Sequence, residues 1–152
     1  MRLTIASVGR FRGGPLPALY SEYASRLPWP VELKEVEEKR PLKGAQRKVR
    51  EAELLMKAVP DNARLVVLHE TGKAFTSVEF AQLLEQYADT GAQNVAFLIG
   101  GAEGHDPSTL KAADRLLSLG PMTWPHLMVR GLLAEQLYRA SSILANHPYH
   151  RA

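Results

Sequence analysis

The sequence predicts an α/β fold, a mainly parallel sheet with helices on both faces, and three observations carry that prediction. Apolar runs of strand length alternate with segments of helical periodicity along the whole chain, as in successive strand–helix–strand units. Two of the runs, Ala63 to Leu68 and Val95 to Gly100, are continuously apolar, as are parallel strands covered on both faces. Glycine- or proline-rich turns follow two later strands, where an α/β protein places a ligand crevice.

Each element has its own signal. Arg2 to Val8 is a short apolar strand, and Pro15 to Leu27 is a helix with Leu16, Leu19, Tyr20 and Tyr23 on one face. In Val31 to Val36, charge separates Val31, Leu33 and Val36, which marks a strand. Ala45 to Val59 has Val49, Ala52, Leu55, Met56 and Val59 at helical spacing. Ala63 to Leu68 is a buried strand. Ser77 to Ala88 is a helix, with Thr76 or Ser77 as N-cap and Gly91 just beyond its end. Val95 to Gly100 is the second buried strand, Pro107 to Ala113 a short helix, Leu116 to Leu119 the last strand and Leu127 to Asn146 the last helix.

With 152 residues and 45% hydrophobic content, one domain spanning residues 1–152 can bury a core without metal or disulfide staples. The chain has no cysteine, which excludes disulfides, thiolate chemistry and cysteine-based zinc or iron–sulfur sites. Met1 to Val8 is too short for a signal peptide, and no apolar run approaches the roughly 20 residues needed to span a bilayer. A soluble cytoplasmic protein with no membrane association is expected.

The net charge of +3 is less informative than its distribution. Lys39, Arg40, Lys43, Arg47, Lys48 and Arg50 form a cluster suited to phosphate contacts. Glu37, Glu38, Glu51 and Glu53 flank it and equally suit a solvated, self-paired helix face. The loop Gly9 to Gly14 is glycine-rich and basic, but its spacing fits neither a dinucleotide loop nor a P-loop.

Chemistry concentrates between Val95 and Ala152. Glycine at Gly100 and Gly101 removes a side chain that would block approach to the end of a central strand; a tight turn with no ligand gives the same pattern. Pro121 and Pro125 stiffen the turn Gly120 to Trp124, whose backbone polar groups, free of regular pairing, can read a ligand edge. On the last helix, Val129, Leu132, Leu133, Gln136, Leu137, Ala140, Ile143 and Leu144 form a stripe broad enough for both the sheet and a second subunit. Glu135 and Arg139 are spaced for an ion pair, whereas Arg130 has no local partner and is the stronger candidate for an active role. His126, His147 and His150 lack acidic residues at ligand spacing, so no metal is expected. His147, Pro148, Tyr149, His150 and Arg151 suit stacking on a base and contacting phosphate.

The succession Leu98-Ile99-Gly100-Gly101, Leu117-Ser118-Leu119 running into Met122-Thr123, Pro125-His126 with Arg130, Glu135-Gln136-Leu137-Tyr138-Arg139-Ala140 and a terminal Tyr149-His150 resembles the RlmH (YbeA) family. These are SPOUT-class methyltransferases that modify N3 of a pseudouridine in bacterial 23S ribosomal RNA. The resemblance covers essentially the whole chain, including Leu68 and Gly72-Lys73. It implies a C-terminal trefoil knot, S-adenosylmethionine as cofactor, a homodimer, and 23S rRNA in the ribosome as partner. The cofactor should lie against Leu68, Gly101, Leu119, Gly120, Pro121, Met122, Thr123 and Trp124, with Arg130, Tyr149 and His150 near the target base. The imide proton at N3 must leave for the nitrogen to attack, and positive charge from Arg130 or Arg151 would favour the anion. The basic segment would anchor rRNA. Four residues depart from the family pattern: Gly120-Pro121, Ala102 and Leu127 stand where serine with a small or basic residue, proline and glutamine are more usual.

Two other classes compete. A non-catalytic ribosome assembly factor accounts for the basic segment but not for two ligand-shaped loops. A nucleotide-dependent oxidoreductase lacks its GxGxxG fingerprint here.

Overall fold

The structure, a computed structural model, describes residues 1–151. Its elements run β1 (Arg2–Val8), α1 (Pro15–Ala24), β2 (Val31–Val36), α2 (Gly44–Ala58), β3 (Arg64–Lys73), α3 (Ser77–Asp89), β4 (Asn94–Ile99), α4 (Pro107–Ala112), β5 (Arg115–Leu117) and α5 (His126–Leu144). The five strands form one sheet in the order β2-β1-β4-β3-β5, every pairing parallel. The predicted α/β architecture is the one observed.

Alternation along the central strands divides the core into two layers. Leu3 and Ile5 of β1, Val66 of β3 and Val95, Phe97 and Ile99 of β4 face α3 and α5, meeting Phe80, Leu84, Leu133 and Leu137. Ala6, Val8, Leu65, Val67, Ala96 and Leu98 point the other way, toward Leu55 of α2 and Leu110 of α4. Both faces of β4 are therefore dry, which explains its unbroken apolar run. The α3 start is fixed by a capping box, the Thr76 hydroxyl accepting from the Glu79 N–H and Glu79 accepting from the Thr76 N–H.

Four expectations are corrected. Helix α1 ends at Ala24, three residues short of Leu27, because Pro28 disfavours helical backbone just before it. Strand β3 continues past Leu68 to Lys73, through a register shift that lets Leu68 and Lys73 both align with Leu117. A Cβ on Gly72 would lie 2.6 Å from the Leu116 carbonyl carbon, so this double pairing requires glycine there. Strand β5 stops at Leu117 rather than Leu119, as Ser118 gives its N–H to Lys73 and its hydroxyl to the following turn. On α2, Val49 and Met56 are exposed, and the buried face is Glu51, Ala52 and Leu55.

Helix α5 also differs from expectation. Between α1 and α3 on the sheet, it buries Val129, Leu133, Leu137 and Ala140 within its own chain. Gly131 makes the α1 approach possible: a Cβ there would sit 2.7 Å from a Leu19 methyl. The apolar stripe read as a surplus for a second subunit is largely consumed inside one chain.

Candidate functional site

Parallel strands end on one side of the sheet, and there β3, β4 and β5 open into a cavity of about 540 Å³. Leu68 and Leu117, paired where the β3–β5 ladder breaks register, and Ile99, the last residue of β4 paired with β1, make an apolar floor, joined by Val129 from the first turn of α5. One wall is the glycine loop Gly100 to His105; the other is the loop from Leu119 to Pro125, followed by His126. His69 and Glu70 stand at the polar rim.

Both walls are set by local sequence. Gly101 and Gly104 bridge, with the Gly104 N–H donating to the Gly101 carbonyl at 3.0 Å, and Gly104 has a φ of 82°. In the second wall Gly120 has a φ of 101°, a left-handed conformation that favours glycine. The Ser118 hydroxyl accepts from the Gly120 N–H at 3.1 Å, and the Trp124 indole N–H reaches the Leu119 carbonyl at 3.4 Å. Met122 is 74% exposed and Trp124 40%, so the loop presents apolar surface outward as well as inward.

Of the cofactor residues expected from the sequence, Leu68, Gly101, Leu119, Gly120, Met122, Thr123 and Trp124 line this cavity together. Pro121 does not, and is exposed. Gly101 serves a different purpose from the one expected. A Cβ there would meet a Val8 methyl at 2.9 Å and the Glu51 carboxylate at 3.2 Å. The missing side chain admits the protein's own packing, and its φ is not positive.

The residues expected near the target base fall elsewhere. Arg130, expected to lack a partner, is fully buried and has several. Its Nη1 is 2.7 Å from Glu35, its Nε donates to the Ser7 hydroxyl at 2.9 Å, and its Nη2 donates to the Val8 and Gly9 carbonyls at 3.1 and 2.7 Å. Its guanidinium also lies over the Phe11 ring. It ties α5 to the end of β1 and does not line the cavity, although its charge acts on the cavity's His126. Burial opposes the charge on Glu35, but the Phe11 N–H and the Arg130 guanidinium outweigh it and hold the carboxyl below its ordinary range.

Tyr149 and His150 lie against the middle of α5. The Tyr149 hydroxyl donates to Glu135 at 3.0 Å, and its ring meets Tyr138 edge-on at 4.7 Å and the Arg139 guanidinium at 4.8 Å. Arg139 also pairs with Glu135, the ion pair that the sequence predicts, and approaches His150 Nδ1 at 3.4 Å. Arg139 is thirteen residues along α5 from the cavity's His126, roughly 20 Å of helix axis. The same separation keeps His126 from sharing an ion with His147 and His150 in one chain.

The basic segment is split by role. Glu38 accepts from the Arg40 backbone N–H and guanidinium and from Arg50, and this holds its carboxyl down at about 2. Arg47 donates to the Leu42, Glu38 and Arg40 carbonyls. These arginines fold the β2–α2 connection. Lys39, Lys43 and Lys48 make no ion pair among the described residues.

Sequence reasoning missed His105. It is 7% exposed and lines the cavity, its ring packed against Gly100 near the Leu98 and Leu68 carbonyls. Burial pushes the imidazole down to about 4, with His69 adding to the effect and the Leu98 and Leu68 carbonyls working against it.

The whole chain resembles proteins of one kind. A family model described as "Predicted SPOUT methyltransferase" matches residues 1–150. The chain is 57% identical to a "Ribosomal RNA large subunit methyltransferase H" of Paramagnetospirillum magneticum, over 99% of both chains. It is 52% identical to the protein so named in Rhodospirillum centenum, over the full length of both. Among solved structures, a probable methyltransferase from Bordetella pertussis Tohama I has the same fold, with a TM-score of 0.58 at 16% identity over 91% of this chain and 95% of that one. No helix among the described residues is long and apolar enough to cross a membrane.

Proposed function

The chain belongs to the SPOUT methyltransferase family, and from that premise we propose that it methylates N3 of a pseudouridine in bacterial 23S rRNA on the assembled ribosome. The observation that carries this reading is the cavity itself. Seven residues expected to hold S-adenosylmethionine, drawn from three separate segments, converge on one apolar-floored crevice at the strand ends. Its volume accommodates a nucleoside-sized molecule. When bound there, the cofactor supplies an electrophilic methyl group. The protein must orient the target nitrogen in line with that group, exclude water, and favour loss of the imide proton.

Arg130 takes a positioning role, holding the β1 end and the first turns of α5 in register beneath the cavity. Tyr149 and His150 act on the base from a second copy of the chain, because within one chain their docking on α5 holds them far from the cavity. The homodimer forms through the Leu119 to Trp124 loop, whose exposed Met122 and Trp124 need cover. A C-terminal trefoil knot and a cytoplasmic, ribosome-bound enzyme complete the reading, with Lys39, Lys43 and Lys48 facing phosphate.

The test is to incubate the purified protein and labelled S-adenosylmethionine with ribosomes from a strain lacking the modification. Label in N3-methylpseudouridine after nucleoside digestion is expected. Binding to ribosomes without S-adenosylmethionine binding would return the protein to the class of assembly factors.

A further inference from the structure

The basic loop Gly9 to Gly14 leaves the sheet between the cavity and the basic segment that follows β2. All five strands run parallel in the order β2-β1-β4-β3-β5, so their carboxyl ends share one rim, with β1 between β2 and the cavity-forming β4. Neighbouring strands are about 4.8 Å apart, which puts the loop one strand width from each. Its first residue touches both sides. A Cβ at Gly9 would lie 3.2 Å from Nε2 of the cavity's His126, and the Gly9 N–H donates to the Val36 carbonyl at the β2 end at 2.8 Å.

The loop is anchored at its middle. Phe11 gives its N–H to Glu35 at 2.6 Å, and its ring lies against the Arg130 guanidinium and near Tyr20. Arg10 and Arg12, on either side of this anchor, stand in solvent with side chains 53% and 78% exposed. Both lean on one carboxylate: Glu37 is 3.5 Å from Arg10 Nε and 3.2 Å from Arg12 Nη2. Two guanidiniums on one carboxylate leave a positive charge over, and ion pairs this exposed are weak enough for another anion to replace.

We propose that Arg10 and Arg12 grip the phosphate backbone of the rRNA strand next to the nucleotide in the cavity, exchanging Glu37 for it. The inference rests on the rRNA methyltransferase reading and adds the direction from which the strand arrives. It runs along the rim from the β2 end, past the exposed Lys43 and Lys39, over the Arg10–Arg12 loop and into the cavity. A line of charge fits a chain of phosphates rather than a single anion, and the guanidinium fork matches phosphate oxygens. Nothing lies within 4 Å of where Cβ atoms on Gly13 and Gly14 would be, so the outer side of the loop is open to a strand.

The experiment uses the full chain with S-adenosylhomocysteine and ribosomes from a strain lacking the modification. Arg10→Gln combined with Arg12→Gln should lower the slope of log affinity against log salt by roughly 1 to 1.5, the value for two single-strand phosphate contacts. Melting and S-adenosylhomocysteine affinity should stay as in the wild type. Glu37→Gln should act in the opposite sense and tighten ribosome binding roughly threefold, the scale of one surface ion pair that no longer competes. That gain should shrink in the background of the two arginine substitutions. The chain has no cysteine of its own, so Arg12→Cys carrying a photoreactive label offers a single crosslinking position. It should attach to 23S rRNA close to the modified pseudouridine.

An unchanged salt slope, an equal gain from Glu37→Gln in both backgrounds, or a label captured by a ribosomal protein would overturn the proposal. Methylation by the wild-type protein would leave the methyltransferase reading standing in each case. A wild-type protein that binds neither S-adenosylhomocysteine nor ribosomes would instead remove that reading, and the proposal with it.

Discussion

Arg130 and Glu35, 95 residues apart in sequence, form an ion pair at 2.7 Å in which the arginine side chain has no solvent exposure. The pair joins α5 to β2 across the end of β1, while the remaining guanidinium donors take the Ser7 hydroxyl and the Val8 and Gly9 carbonyls. All three guanidinium nitrogens donate. A lysine, with a single point of charge, could not reproduce that geometry.

Replacing Arg130 should therefore act on stability before it acts on chemistry. Arg130→Lys and Arg130→Ala should both lower unfolding free energy, the alanine variant by about 3 kcal/mol, because a buried cluster is left half satisfied. Urea unfolding measures this. A fully stable Arg130→Ala protein that binds S-adenosylhomocysteine normally yet fails to transfer methyl would instead make the arginine a direct participant.

Glycine substitutions should separate two kinds of packing. Gly72→Ala forces a Cβ against the backbone of Leu116 and Leu117, which cannot give way, and should cost about 3 kcal/mol. Gly101→Val presses on Val8 and Glu51, so it should lower stability as well as cofactor affinity. Thermal melts set beside calorimetry decide the point; Gly101→Val at wild-type stability would contradict the packing seen here.

How much of this could be read in the chain follows from how local each signal is. The Glu135–Arg139 pair and the Thr76 cap were legible because their partners lie three or four residues apart. Strand β4 was legible because burial on both faces leaves Val95 to Ile99 wholly apolar, and β1 because Thr4 and Ser7 are small enough to be buried with its apolar residues. The pairing of Arg130 was not, since Ser7 and Glu35 reach it only through the fold. Nor was the β3 extension, whose polar residues from His69 to Lys73 show no alternation and are held by one irregular pairing with β5. His105 gave no signal because a lone histidine after glycine reads as loop, and only the fold buries its ring at the strand ends.

Acid should destabilise the protein in two windows. His105 is held at about 4 in the folded chain, below its ordinary 6.5, so the unfolded chain binds the extra proton between those values. Stability falls with pH there. Glu38, held at about 2, adds a second loss between about 4.5 and 2. Glu51, raised by burial, works in the opposite sense above pH 4.5. The His105→Leu variant isolates the first window: the stability difference from wild type should change between pH 6.5 and 4 and be constant above 7. A difference independent of pH would show that the imidazole is not shielded.

Within the basic segment, RNA binding should depend on lysines more than arginines. Lys39, Lys43 and Lys48 to glutamine should lower the slope of log affinity against log salt by roughly 2 to 3, with melting unchanged. Arg40 and Arg50 to glutamine should loosen the β2–α2 connection, because Glu38 loses its partners. Ribosome binding measured across a salt series, alongside thermal melts, distinguishes these effects. Equal slopes for the lysine variant and wild type would make the lysines solvated surface.

The last prediction concerns how the tail reaches the chemistry. Within one chain, Tyr149 rests on Tyr138, Arg139 and Glu135, while the cavity begins at the opposite end of α5. If Tyr149 and His150 assist methyl transfer, the cavity they serve must belong to another copy. Two defective chains can expose this. One is truncated after Asn146 and keeps its cavity; the other carries Gly120→Val, which cannot hold a φ of 101°, and keeps its tail. Each alone should be inactive. Unfolded together and refolded in equal amounts, they should recover roughly a quarter of wild-type activity, since half the dimers then combine one intact cavity with a tail from its neighbour. If the mixture stays inactive although mixed dimers are seen by native mass spectrometry, the tail acts on its own chain, and its docking against Glu135 must break before the reaction can proceed.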